Sequence, residues 1–219
     1  MPRVRIVQRT SIGHPKRPRI IDIRDALKFM NVATVHIPRK YPDLSLSWII
    51  ARNLLSVQID DKQLVPCVIE ARNLPRPRTG IDRLAGPELL SMEKMQEARI
   101  VFIIDEFDFG SKSRSDFLRD QIKEKPHAQF LIVTRSASNT VVNSDFATVT
   151  ASHTTTLADI GFAEISHFVQ KNYEIEISAA EVIAVRLRET FDRYNLSAHP
   201  AYFAGIPRNI RSLAHRDAS

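Results

Sequence analysis

The 219-residue chain has only 6 glycines, one cysteine and one tryptophan. Loops that bind phosphate through the backbone use glycine to reach the angles that point successive N–H groups at an anion. Six glycines are few for a nucleotide-binding protein. A lone thiol, Cys67, builds neither a disulfide framework nor a zinc site, and within an apolar run it reads as a buried, inert side chain. No run approaches the roughly 18 apolar residues of a membrane span. The opening Met1-Pro2-Arg3-Val4-Arg5 has no apolar secretion core. The expectation is a cytoplasmic protein with no membrane partner. None of the histidines pairs at i,i+3 or i,i+4 with another ligand type in the manner of a zinc protease. Ser136 and Ser138 lack the context of a nucleophile elbow.

Apolar residues make up 43% of the chain and charged residues 26%, an ordinary globular composition. The length suits one α/β domain with a small helical piece appended. The net charge is +6, and residues 1–30 carry all of it: eight Lys or Arg against Asp22 and Asp25. Residues 1–31 therefore read as a basic leader, either simply solvated or an arm for nucleic acid or another anionic partner.

Beyond the leader, apolar runs alternate with helical periodicity. Val32–Ile37 reads as a buried strand, and residues 46–57 as a helix, with Trp48, Ile49, Ala51, Leu54 and Leu55 at helical spacing. Leu64–Ala71 reads as a strand despite Pro66, and 87–96 as a helix with Pro87 in its first turn. Ile100–Ile104 is the clearest strand. A helix at 113–123, a strand at Phe130–Thr134 and a weaker strand at 146–150 follow. Residues 157–173 and 178–194 read as helices, and 200–214 as a third, broken near Gly205. The expected fold is α/β: a parallel sheet sandwiched by helices over 32–152, then a small helical lid over 153–219.

The residues with chemistry stand at strand ends. Ile100–Ile104 runs into Asp105 and Glu106, which places two carboxylates at the carboxyl edge of a parallel sheet, where ligands bind. Asp105 is suited to holding Mg²⁺, and Glu106 to orienting and deprotonating an attacking water. Phe130–Val133 similarly delivers Thr134 and Arg135, placed to touch a γ-phosphate or that water. The same residues also satisfy a plainer role as polar ends of buried strands. Phe102, Phe107, Phe109, Phe117 and Phe130 read as core or lid packing rather than base-stacking platforms.

The stretches IVFIIDEFD at 100–108, FLIVTRS at 130–136 and GIPRNIR at 205–211 resemble STAND ATPases of the NACHT type and related AAA+ proteins. PCVIEARNL at 66–74 resembles their second core strand, and the likeness spans about residues 30–215. It implies a P-loop NTPase fold binding ATP and Mg²⁺. Asp105 would be the Walker B carboxylate and Glu106 the catalytic base. Arg135 would act as the first sensor, with Arg208, or Arg211 one turn later, as the lid sensor. Such proteins switch and assemble, so a protein partner or self-assembly is implied.

The phosphate loop departs from the pattern G-x-x-x-x-G-K-[ST]. Superposed on it, Pro38 and Asp43 replace the glycines and Leu44 replaces the lysine; Ser45 alone matches, as a ligand for nucleotide and metal. Pro38 and Pro42 lack N–H groups, and Asp43 sets a negative charge beside a polyanion. These losses would weaken binding by about two to four orders of magnitude, at roughly 1.5–3 kcal/mol per charged hydrogen bond. Residues 10–16 hold a glycine and a lysine, at the wrong spacing. The sequence therefore leaves a nucleotide switch with weak or lost hydrolysis beside a non-catalytic scaffold, and a nucleic-acid adaptor acting through the leader.

Overall fold

The computed structural model describes residues 4–8, 19–37, 46–74, 80–87, 90–91, 97–135, 154–158, 160–194, 196 and 198. Eight strands form one sheet: β1 (Arg5–Gln8), β2 (Arg19–Asp22), β3 (Val32–His36), β4 (Gln58–Ile59), β5 (Lys62–Glu70), β6 (Ala98–Asp105), β7 (Gln129–Thr134) and β8 (Thr154–Leu157). Their order is β2-β1-β8-β3-β7-β6-β5-β4. The five strands from β8 to β5 are mutually parallel, and β4, β1 and β2 join antiparallel at the two edges.

Uninterrupted apolar runs become central parallel strands because both of their faces are covered. In β6, Val101 and Ile103 face one layer and Ile100, Phe102 and Ile104 the other, all fully buried. The first layer comprises α1 (Ile23–Phe29) and α2 (Leu46–Leu54), whose Leu46, Ile49, Ile50 and Leu54 are buried as α2 packs over β5 and β6. The second comprises α3 (Asp82–Ala85) and α4 (Lys112–Glu124), packed around Phe102 and Phe130, whose rings stack at 5.3 Å. Two further helices, α5 (Phe162–Tyr173) and α6 (Ile177–Arg193), share an apolar cluster of their own built on Ile165, Phe168, Val169, Ile183 and Ala184. Glu164 closes the first turn of α5 by accepting the Gly161 N–H at 3.0 Å. Among the described residues, no helix is long and apolar enough to cross a membrane.

Two details differ from the sequence reading. Part of the basic stretch at the start is sheet: β1 pairs with β2 and β8, with Val4 and Ile6 fully buried. Arg24 forms an ion pair with Asp22 at 2.6 Å and Lys28 one with Asp25 at 2.9 Å. Thr154–Leu157, partly read as the start of a helix, pairs with β3 as β8, as three consecutive β-branched threonines favour. The strand expected at 146–150 and the helix at 200–214 lie outside the described residues. Pro66 is accommodated in β5 because the Leu64 N–H points away from β6, to Val57 O at 2.9 Å. Pro66, two residues on, directs its nitrogen the same way and removes no bond to β6.

Candidate functional site

Connections leave the carboxyl edge toward opposite faces. The one after β3 leads to α2 on the first face, whereas those after β5 and β6 lead to α3 and α4 on the second. Right-handed crossovers require this when β3 to β5 runs one way across the sheet and β5 to β6 to β7 steps back. Chains parting in this way open a crevice at the strand ends. A cleft of about 590 Å³ lies there, lined by Ile37, Trp48, Val68, Ile69, Glu70, Arg72, Asn73, Leu84, Asp105, Glu106, Val133 and Arg135.

Strand alternation explains the charged members. Asp105 follows Val101 and Ile103, Glu70 follows Leu64 and Val68, and Arg135 follows Leu131 and Val133, all on the α2 face. Glu70 and Asp105 are register partners, so their carboxylates start from adjacent positions. Arg72, on the short 3-10 turn Ala71–Asn73, donates through Nε to Glu70 Oε2 at 2.6 Å. That bond first, and the charges of Glu70 and Glu106 after it, hold the Arg72 guanidinium above its ordinary pKa. Asn73 Nδ2 reaches the same Glu70 oxygen at 3.5 Å.

Glu106 adopts φ 53°, the left-handed region that costs a residue with a Cβ about 1–2 kcal/mol. Its surroundings impose the turn. The Glu106 N–H donates to Asp105 Oδ1 at 3.0 Å, and the next N–H, of Phe107, donates to Val133 O at 2.9 Å. The Phe107 ring is buried with the second face's core and meets Phe109 edge-on at 5.0 Å. The chain thus crosses the end of β7 and leaves Glu106 exposed at the cleft. Backbone strain of this kind concentrates at functional positions. Asp108 braces the same loop by accepting the Gly110 N–H at 2.9 Å.

The structure therefore brings Asp105, Glu106 and Arg135 together. Thr134 stands apart from them: it follows Phe130 and Ile132 toward the second face, is 4% exposed, and is not among the lining residues. Its carbonyl accepts the Ile37 N–H at 2.8 Å, which ties β3 to β7. Ser45, Arg208 and Arg211 lie outside the described residues. Sequence reasoning missed Glu70, Arg72, Asn73 and Leu84, and counted Trp48 only as part of a helical repeat, although it is 65% exposed. The rule applied to β6 and β7, polar residues at the carboxyl end of a buried strand, finds Glu70 and Arg72 as well once β5 is ended at Glu70.

Among the described residues, no group of three or more His, Cys, Asp or Glu side chains is placed to hold a metal ion. Mg²⁺ carried by a nucleotide does not need such a cage: it keeps several waters and takes one or two carboxylates plus phosphate oxygens. Asp105, in a cleft of nucleotide size, fits that donor set.

No protein-family model matches the chain, and no curated protein matches its sequence. Similar solved structures include ORC1 from Aeropyrum pernix in complex with DNA, at 12% identity and a TM-score of 0.39, over 65% of this chain and 43% of that one. A point mutant of RuvB from Thermotoga maritima is similar at 16% identity and a TM-score of 0.41, over 82% of this chain and 64% of that one. The chain thus spans less than two thirds of the length of either protein.

Proposed function

We propose that the chain is a nucleotide-binding regulatory domain of the STAND or AAA+ type, with ATP and Mg²⁺ in the carboxyl-edge cleft and hydrolysis weak or lost. The observation that carries this reading is the placement of Asp105 and the strained Glu106 beside Arg135 in one cleft. Mg²⁺ bound with ATP would neutralise phosphate charge, held by Asp105 and by Ser45, which precedes α2 in the sequence. Arg135, and Arg72 to the extent that phosphate displaces its pairing with Glu70, supply positive charge in place of the lysine that Leu44 replaces. Glu106 orients a water and accepts its proton on a carboxylate oxygen as the water attacks the γ-phosphorus and the bond to the β-phosphate oxygen breaks. Arg208 and Arg211, from the expected lid segment that follows β8, would reach the nucleotide when that segment closes. Closure biases assembly with a protein partner or with further copies of the chain.

A second reading, a non-catalytic scaffold of the same fold, is favoured by Pro38, Asp43 and Leu44 at the phosphate-loop positions. Nucleic acid remains the third partner class, through residues 1–30. Two of the eight cations there, Arg24 and Lys28, are already ion-paired, which lowers the charge on offer. Calorimetric titration with ATP and Mg²⁺ separates the first two readings. Saturable binding, weakened at least tenfold by Asp105→Ala, supports the switch; absence of heat at millimolar ATP leaves the scaffold.

A further inference from the structure

We propose that Trp48 and Leu84 form a seat for a nucleobase, so that the cleft selects a base-bearing ligand over a bare polyphosphate. This rests on the nucleotide reading above. Trp48 is the chain's one tryptophan and is 65% exposed, while its neighbours Ser47, Ile49 and Ile50 are at most 5% exposed. The buried neighbours fix α2 on the sheet, and Trp48 is left facing the cleft. Leu84 also lines the cleft, from α3 on the other side of the sheet. Its helix is held in place independently of any ligand. Ile81 is fully buried and donates its N–H to Gln121 Oε1 at 2.8 Å, and Asp82 pairs with Lys125 at 2.6 Å.

The cleft is thus two-natured: apolar side chains from two helices, and charged groups at the strand ends. A polyphosphate satisfies only the charged part and leaves an indole in water. A ligand with one flat apolar end and one anionic end satisfies both, and the volume suits such a ligand. Stacking on an aromatic ring works with any base, since every base offers a π-face. The seat therefore selects for the presence of a base and not for its identity.

Because Trp48 is the sole tryptophan, its fluorescence reports on this cleft directly. The full chain is titrated with ATP and, separately, with inorganic triphosphate, both with Mg²⁺, and calorimetry is run in parallel. The proposal expects saturable change of emission with ATP and little with triphosphate. It expects Trp48→Ala to weaken ATP about tenfold and triphosphate not at all, and Trp48→Phe to keep ATP affinity within a few fold. Equal calorimetric affinity for ATP in Trp48→Ala and the parent overturns the base seat and leaves the nucleotide reading intact. Absence of calorimetric ATP binding by the parent chain overturns both. Circular dichroism of the two variants, expected to match the parent because Trp48 is exposed, confirms that the folded state is compared.

Discussion

The ends of β3 and β6 are built alike and equipped differently. Each is tied to β7 by one backbone hydrogen bond, Ile37 N–H to Thr134 O at 2.8 Å and Phe107 N–H to Val133 O at 2.9 Å. Each opens onto the same cleft. Yet β6 ends in Asp105 and a strained Glu106, whereas β3 runs into Pro38 and, before α2, Asp43 and Leu44. The comparison separates scaffold from chemistry. Sheet register and backbone ties fix where a ligand's phosphates and water would lie, and they depend on apolar strand residues. The charge and N–H groups that grip phosphate depend on a few loop residues, which change without disturbing the sheet.

Repairing the weaker side tests the comparison most severely. Leu44→Lys combined with Asp43→Gly restores a cation and a flexible backbone and removes a repelling charge. ATP affinity measured by calorimetry should rise about 10- to 100-fold, as one or more charged hydrogen bonds imply. An unchanged affinity means that the β3 loop does not face the phosphates. A smaller effect comes from the stronger side. Arg72→Ala should weaken ATP about tenfold in the parent chain. In the repaired background the loss should shrink, because the new lysine takes over the contact; an equal loss in both means that Arg72 acts elsewhere.

The smallest effect is on stability. Glu106→Gly relieves the left-handed backbone at φ 53° but adds freedom to the unfolded chain. The net expectation is stabilisation by roughly 0.5–1 kcal/mol in urea unfolding, with any residual phosphate release abolished. Destabilisation would mean that the Glu106 side chain holds the turn, rather than the Phe107 anchor.

The central strands were legible because burial on both faces leaves little choice of residue. Ile100–Ile104 and Phe130–Val133 permit no exposed reading, and β6 and β7 extend each run by no more than two residues at either end. Asp105, Glu106 and Arg135 followed from where those runs stop. Short strands are harder. β1, β2 and β8 are four residues each, and β1 and β2 stand among arginines whose charge dominated the reading of residues 1–31. Trp48 fits the helical repeat of α2, but periodicity does not show that the cleft opens beside it. Glu70 and Arg72 are hidden because the sequence pattern carries the strand to Ala71, past the point where β5 ends. Its place at a strand end points Thr134 toward the ligand in the sequence, but alternation across the sheet turns it to the opposite face.

The claim at the centre is that a nucleotide sits at the carboxyl edge although the β3 loop is poorly equipped for phosphate. Hydrogen–deuterium exchange of the full chain, with and without saturating ATP and Mg²⁺, tests it most directly. The account predicts slowed exchange at residues 68–73, 105–107 and 133–135, the segments that border the cleft. Unchanged exchange there, or protection confined to segments away from the cleft, would contradict it.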